Sequence, residues 1–202
     1  MSVGEAEARR LFEEAGALLH GHFLLSSGLH SDTFLQAARV LQDPRVAERL
    51  CSALADLWRS ERPAVVIGPA TGGIILAYEV ARQLSVRALF AERRNGPMSL
   101  GRGFWLAPQE RVLVVDDVIT TGASVRETGD LVQALGAEVI GVGCLADRGG
   151  GSGLRWPCQG LLRVDPKEYR PEECPQCRRG VSLVEPDELQ GQGPKSGSGA
   201  RV

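Results

Sequence analysis

Apolar residues recur with two different periods along the first third of this chain. Residues 5–19 place them three and four positions apart, which predicts an amphipathic helix. Residues 22–36 contain two short apolar runs around a turn of Ser, Gly, His and Asp, which predicts a hairpin-like excursion with a polar tip. Residues 44–60 predict a second helix, with Asp43 as its N-cap and Pro44 at its first position.

From residue 64 onwards, short apolar strands alternate with glycine-bearing turns and helices. The strand-bearing segments are AVVIGPATGG (64–73), VRALFAE (86–92), RVLVVDDVITTGAS (111–124) and AEVIGVGCLADR (137–148). This alternation predicts an α/β fold, with a mostly parallel central sheet flanked by helices. Ligands of such open sheets bind beyond the carboxyl ends of the strands, where these glycine-bearing turns would gather.

The segment VLVVDDVITTGAS (112–124) runs from apolar residues directly into two acids and then a small, hydroxyl-rich turn. We expect the strand to end near Val115 and the next helix to begin between Gly122 and Ser124. Backbone N–H groups in the first turn of a helix have no intrahelical acceptor, so such a turn suits a phosphate. The hydroxyls of Thr120, Thr121 and Ser124 add donors there.

Asp116 and Asp117 lie just before this turn, and carboxylates do not bind phosphate favourably. They can accept hydrogen bonds from sugar hydroxyls or from waters on a divalent metal. Capping of a turn is the structural alternative for an Asp pair. Four apolar residues precede the acids and a turn suited to phosphate follows them, so we favour ligand binding over capping. The combination fits a ribose 5-phosphate.

Length and composition limit the classes of protein that fit. A chain of 202 residues can bury the core of one main domain, and 43% hydrophobic with 24% charged residues is ordinary for a globular protein. The net charge of -2 gives no reason to expect a nucleic-acid partner. No apolar run is long enough for a membrane span, and the N-terminal residues do not have the pattern of a signal peptide, so we expect a cytoplasmic protein.

The segment VLVVDDVITTGAS resembles the phosphoribosyl-pyrophosphate (PRPP) signature of the type I phosphoribosyltransferases. With the segments GHFLLSSGLHSDTFLQ, GPATGG, AERRNGPMSLGRGF and LADRG, the chain resembles the orotate phosphoribosyltransferases over roughly residues 15–180. This resemblance implies the type I fold with a small N-terminal hood and a flexible catalytic loop. It implies one domain over residues 1–189, with the hood at about 1–40, the core at about 45–165 and a C-terminal segment at 166–189. Residues 190–202 are rich in Gly and Ser and lack apolar periodicity, so we expect a disordered tail.

The resemblance also implies a role for individual residues. Asp116 and Asp117 would meet the ribose hydroxyls of PRPP, and Thr120 and Arg148 would bind orotate, whose carboxylate an arginine can grip bidentately. The residues implied to bind PRPP are Asp116, Asp117, Val118, Ile119, Thr120, Thr121, Gly122, Ala123 and Ser124. The pyrophosphate loop is Ala70, Thr71, Gly72 and Gly73, a stretch that could equally be a tight turn between strand and helix.

Two positions depart from the family pattern. Ser26 stands where many orotate phosphoribosyltransferases have a lysine, and the loop over residues 91–104 has neither the usual lysines nor the histidine. Arg93, Arg94 and Arg102 are the cations of that loop. Our hypothesis is that Arg93 or Arg94 neutralises the leaving pyrophosphate; the alternative is a solvated surface loop.

The reaction implied by the resemblance joins a ring nitrogen of orotate to C1 of PRPP. It releases pyrophosphate, gives orotidine 5-phosphate for UMP biosynthesis, and requires Mg²⁺ held through PRPP and water, with no protein ligand to the metal. Closure of the loop at 92–104 would exclude water, and a homodimer is implied by resemblance alone. The alternatives are a purine or uracil phosphoribosyltransferase and a regulatory protein that senses PRPP.

Two polar groups have no clear place in this scheme. His30, with Ser27, Ser31 and Asp32, could contact the base or simply stabilise a turn. Cys174 and Cys177 have zinc-knuckle spacing, and Cys158 could be a third ligand. No fourth ligand is evident, so we expect reduced thiols for these cysteines and for Cys51 and Cys144.

Overall fold

The computed structural model describes residues 3–25, 27–94 and 96–185 of the chain. Ser26, the last part of the predicted C-terminal segment and the predicted disordered tail lie outside the described residues. Within them, no helix is long and apolar enough to cross a membrane.

The larger sheet has the strand order β5-β4-β3-β6-β7-β8. Its strands are β3 (Val65–Pro69), β4 (Arg87–Arg93), β5 (Met98–Ser99), β6 (Arg111–Ile119), β7 (Glu138–Asp147) and β8 (Cys158–Arg163). All neighbouring pairs are parallel except β4 with β5. β3 is buried along its whole length, as expected for a parallel strand covered on both faces.

Helices cover both faces of this sheet. They are α1 (Glu5–Glu14), α2 (Ala38–Leu41), α3 (Pro44–Trp58), α4 (Gly72–Leu84) and α5 (Ala123–Ala134), whereas α6 (Pro175–Arg178) belongs to the C-terminal segment. Val66, Leu113 and Val115 share a buried cluster with α1, α3 and α4. Val65 and Val114 belong to a second cluster with α5. Alternate strand residues thus fill two cores, which confirms the predicted α/β class.

A smaller antiparallel sheet joins the two ends of the described chain. Its strands are β1 (Leu18–Leu24), β2 (His30–Leu35) and β9 (Glu168–Tyr169), in that order. The predicted hairpin is therefore present, and its second strand pairs with a strand from the C-terminal segment. We call the β1-β2-β9 sheet the hood.

Element boundaries agree with the sequence in some places and not in others. Asp43 caps α3 and accepts a hydrogen bond from the Arg45 amide at 3.0 Å, as predicted. The first helix was predicted too long, because residues from Leu18 onwards pair with β2 instead. The predicted end of β6 near Val115 was wrong, because β7 continues to pair with β6 as far as Ile119.

Candidate active site

The two acids of β6 lie where that strand has lost one neighbour and kept the other. β3 pairs with β6 only as far as Val114, whereas β7 pairs with it to Ile119. Asp116 and Asp117 are therefore strand residues that border the loop following β3. A Cβ atom added to Gly72 of that loop would lie 2.8 Å from Asp117 Oδ1. Only glycine fits there without displacing the acid.

Neither acid is neutralised by the rest of the described chain. The Asp117 amide donates to Asp116 Oδ1 at 3.0 Å, and the Val118 amide donates to Asp117 Oδ1 at 2.8 Å. Residues 3–25, 27–94 and 96–185 contain no ion pair to either carboxylate. Burial, together with the nearby charge of Asp117, raises the pKa of Asp116 to about 7. Burial also raises the pKa of Asp117. The two carboxylates can therefore accept hydrogen bonds from a ligand or interact with a cation bound to it.

The turn from β6 into α5 forms a small concave site beside Asp116. Gly122 is the N-cap of α5 with φ of 73°, a left-handed conformation that glycine adopts without strain. α5 then begins at Ala123, within the predicted interval. A cavity of about 60 Å³ is lined by Asp116 and by residues 118–125. Every residue predicted for the phosphate turn thus lines one cavity at a helix N-terminus, a geometry suited to an anion.

The predicted pyrophosphate loop connects β3 to α4 next to these acids. Ala70, Thr71 and Gly72 are exposed, and Thr71 is the N-cap residue of α4. The peptide bond between Ala70 and Thr71 is cis, and the Ala70 amide donates to the Ala91 carbonyl at 2.7 Å. The loop is therefore anchored to β4, the strand that ends at Arg93.

Each predicted loop arginine is paired with a carboxylate of the chain. Arg93 makes two hydrogen bonds to Glu127 of α5, at 2.9 and 2.6 Å, and these lower the pKa of Glu127. Arg94 lies 2.6 Å from Glu92, which also accepts from Arg102 at 3.2 Å. The Arg102 hydrogen bond lowers the pKa of Glu92. In this conformation all three arginines hold internal partners.

Arg148 connects the phosphate turn to the hood. Its amide donates to the Ile119 carbonyl at 2.8 Å, and its Nη2 atom donates to Glu168 Oε1 at 2.7 Å. Its side chain lines a cavity of about 730 Å³ that also includes Phe34 and Gln36 of the hood region. Arg148, the predicted base-binding arginine, thus lines an open cavity while it is hydrogen-bonded to the Glu168 carboxylate.

The polar tip of the hairpin divides into two parts. Ser27 lines the large cavity, but His30 and Ser31 are buried. Ser31 Oγ donates to the Thr33 carbonyl at 2.7 Å, and Asp32 accepts from the Lys167 amide at 3.0 Å. Ser31 and Asp32 are therefore strand residues that hold the hood together rather than residues of a turn.

Sequence reasoning missed two of the three acids that hold the predicted cationic residues, and these two lie far from them in the chain. Glu127 lies 34 positions after Arg93, and Glu168 lies 20 positions after Arg148. Neither spacing is local to one helix or hairpin, so no sequence signal could have indicated these pairs.

Several known proteins are similar to this chain in sequence, in fold or in both. The Phosphoribosyl transferase domain family matches residues 36–156. An orotate phosphoribosyltransferase of Caldanaerobacter subterraneus subsp. tengcongensis is 52% identical over 177 residues, covering 87% of this chain and 93% of that protein. One from Carboxydothermus hydrogenoformans is 52% identical over 180 residues, covering 88% and 94%. The crystal structure of orotate phosphoribosyltransferase from Aeropyrum pernix superposes with a TM-score of 0.67 at 28% identity, covering 77% of this chain and 92% of that one.

Proposed function

The chain belongs to the orotate phosphoribosyltransferase family, and we propose that it transfers the 5-phosphoribosyl group of PRPP to a ring nitrogen of orotate. The products are orotidine 5-phosphate and pyrophosphate, in the biosynthesis of UMP. One observation carries the assignment of the site: two partly buried acids, which no cation of the described residues pairs with, border a helix N-terminal turn.

The donor binds with its two ends in different environments. The 5-phosphate lies in the turn from Thr120 to Ser124, where amide and hydroxyl groups donate to it. The ribose hydroxyls donate to Asp116 and Asp117. This division keeps the carboxylates away from the phosphate and places them beside the ring that gains positive charge as the bond to pyrophosphate breaks.

Mg²⁺ fits this site through the donor rather than through a cage of side chains. Among the described residues no cation pairs with these acids, so their oxygens suit waters on a divalent ion, and Gly72 leaves room for backbone beside them. When bound to PRPP, Mg²⁺ would neutralise part of the pyrophosphate charge. Asp116 and Asp117 would hold its waters, and no side chain need coordinate it directly.

The leaving pyrophosphate is stabilised by the loop from Ala70 to Gly73 and by Arg93 or Arg94. The anchoring of Ala70 to Ala91 supports this, because it fixes the loop to β4, which ends at Arg93 and leads directly into Arg94. Each arginine exchanges its carboxylate for a pyrophosphate oxygen, and the segment from 92 to 104 closes over the site to exclude water.

Orotate is held at the hood side of the site by Arg148 and Thr120. Arg148 grips the orotate carboxylate, while Glu168 fixes the guanidinium from the other side. A neutral base such as uracil offers no carboxylate to this arginine and forgoes the charge-assisted contact that orotate makes, so orotate binds more tightly.

A base panel tests this function. The full-length protein is mixed with PRPP and Mg²⁺ and with orotate, uracil, adenine or hypoxanthine, and pyrophosphate release is followed. Release is expected to be fastest with orotate, and Arg148→Ala should raise the KM for orotate by about 10- to 100-fold. Faster release with another base would overturn the substrate, and PRPP binding without release with any base would indicate a PRPP sensor.

A cytoplasmic homodimer is part of the same proposal. Ile75 and Tyr78 on α4 have 55% and 67% of their surface exposed, and such large apolar side chains on one helix suit a protein interface. Charged, phosphorylated substrates support a cytoplasmic location. Sedimentation equilibrium should show a dimer that Ile75→Lys/Tyr78→Lys converts to monomer, and a monomeric wild-type protein would contradict the assembly.

A further inference from the structure

Four potential metal ligands meet where the C-terminal segment crosses the hood. They are His22 of β1, His30 of β2, Cys174 just before α6 and Cys177 within it. Their donor atoms all lie within 4.8 Å of one another. None of the four belongs to the proposed active site.

Three nitrogen–sulfur distances between these donors match the edges of a tetrahedron around one ion. His22 Nε2 lies 3.4 Å from Cys174 Sγ and 3.6 Å from Cys177 Sγ, and His30 Nδ1 lies 3.3 Å from Cys177 Sγ. Zinc bonded to sulfur at about 2.3 Å and to nitrogen at about 2.0 to 2.1 Å implies nitrogen–sulfur edges of about 3.5 Å. The two histidine nitrogens are 2.9 Å apart and need to separate by a few tenths of an ångström.

The surroundings of His22 prepare its ring for coordination. Its Nδ1 atom lies 2.9 Å from the Val181 carbonyl oxygen, an acceptor, so Nδ1 carries the proton and donates it. This leaves the lone pair of Nε2 directed at the two thiols and at His30. An outer hydrogen bond of this kind fixes the tautomer of metal-bound histidines.

We propose that this cluster is a structural zinc site with two cysteine and two histidine ligands. Thiolates with imidazoles select zinc over Mg²⁺, and four protein ligands leave no position open for substrate. His22, His30 and Cys174 are buried while Cys177 is exposed, so the ion can enter from the Cys177 side.

This ligand set corrects the expectation that the sequence gives. Cys158 is not the third ligand, because it lies on β8 beside Cys144, whose hydrogen bond lowers the pKa of Cys158. The missing ligands are two histidines that precede the cysteines by about 150 residues. Both come from the hood hairpin.

The site fastens the C-terminal segment to the hood. The Val184 amide donates to the His22 carbonyl at 2.9 Å, and the Leu24 amide donates to the Val184 carbonyl at 3.0 Å. β9 in the same segment carries Glu168, the partner of Arg148. Zinc therefore stabilises one wall of the large cavity without touching the phosphate turn.

Metal analysis of the full-length protein, purified under reducing conditions without chelator, tests the proposal. We expect about one zinc per chain, and X-ray absorption of the wild-type protein should show two sulfur and two nitrogen neighbours. Cys174→Ser/Cys177→Ser and His22→Asn should lose the metal. Cys158→Ser and His20→Asn are matched controls and should keep it, since His20 points to Glu13 instead.

Other results would overturn the site. These are no zinc even after reconstitution, a different neighbour set, a Cys174–Cys177 disulfide in the reduced preparation, or loss of zinc in the Cys158→Ser control alone. Because the wild-type absorption measurement does not depend on folding of the variants, misfolded variants leave the test intact.

Hydrogen exchange after chelation tests the structural role separately. Amides of residues 168–184 should lose protection, while those of β3 and β6 keep theirs. Unchanged protection at 168–184 after proven zinc removal would contradict that role. PRPP binding should survive chelation, so failure here is distinguishable from failure of the proposed transferase activity.

Discussion

The two acids of β6 and the two arginines at the end of β4, Arg93 and the following Arg94, differ in burial and in pairing. Asp116 and Asp117 are largely buried and have no ion pair within the described ranges 3–25, 27–94 and 96–185. Arg93 and Arg94 have 49% and 54% of their side chains exposed, and a carboxylate of the chain holds each of them. The two acids are thus mostly buried and unpaired within these ranges, whereas the two arginines are solvated and paired.

Because of this difference, the acids and the arginines contribute differently to the binding of PRPP. The acids are fixed acceptors whose unfavourable burial exists in the free protein and is relieved by the ligand. The arginines must leave one carboxylate to reach another anion, so the net gain from each is smaller. Removing the acids should therefore cost more activity than removing the arginines.

The largest effect is expected from Asp116→Asn/Asp117→Asn. Amides keep the shape but lose the charge beside the ribose, so kcat/KM for PRPP should fall by about 100-fold or more. Steady-state pyrophosphate release with orotate measures this. Asp130→Asn is the matched control, because Asp130 pairs with Arg155 on the surface of α5. A double variant within tenfold of wild type would show that the acids do not act on the donor.

A smaller loss is expected from Arg93→Ala/Arg94→Ala. Without a cation near the leaving group, kcat should fall by about 10- to 100-fold. Arg59→Ala is the control, since this exposed arginine pairs with Asp56 at the end of α3. Near-normal turnover of the double variant would refute the hypothesis that loop arginines replace the usual lysine.

The smallest effect is expected from Glu127→Gln. This change releases Arg93 from a weak, solvent-exposed pair, so the KM for PRPP should decrease by a few fold. Glu138→Gln, in a surface pair with Arg111, should leave KM unchanged. An increase in KM for Glu127→Gln would mean that the glutamate positions Arg93 for the substrate instead of restraining it.

Local features of this molecule could be predicted from the sequence, and distant ones could not. The phosphate turn consists of the end of a strand, a glycine and the start of a helix in succession. Because these residues are contiguous in the sequence, the turn could be predicted from them alone. The length of β6 was misjudged because it depends on β7, which follows it by a helix and supplies partners as far as Asp147. The apolar periodicity within β6 does not indicate how far β7 pairs with it.

The hood shows the same limit more strongly. The Cys174–Cys177 spacing is visible in the sequence, but His22 lies 155 positions before Cys177. Only the pairing of β9 and of Val184 with the hairpin brings the two ends together. Ligands contributed by separate elements become apparent once the topology is known.

The pH dependence of stability tests the buried, unpaired state of the acids most directly. The folded pKa of Asp116, about 7, lies above its ordinary value of 3.8, so the folded state holds a proton that the unfolded state releases. Stability is therefore lost as pH rises through this interval. Urea unfolding of the wild-type protein and Asp116→Asn between roughly pH 4 and pH 8 should show a stability advantage for the variant that grows with pH by on the order of 2 to 4 kcal/mol. A difference that stays constant across this range would contradict the claim that Asp116 is held without a partner until its ligand binds.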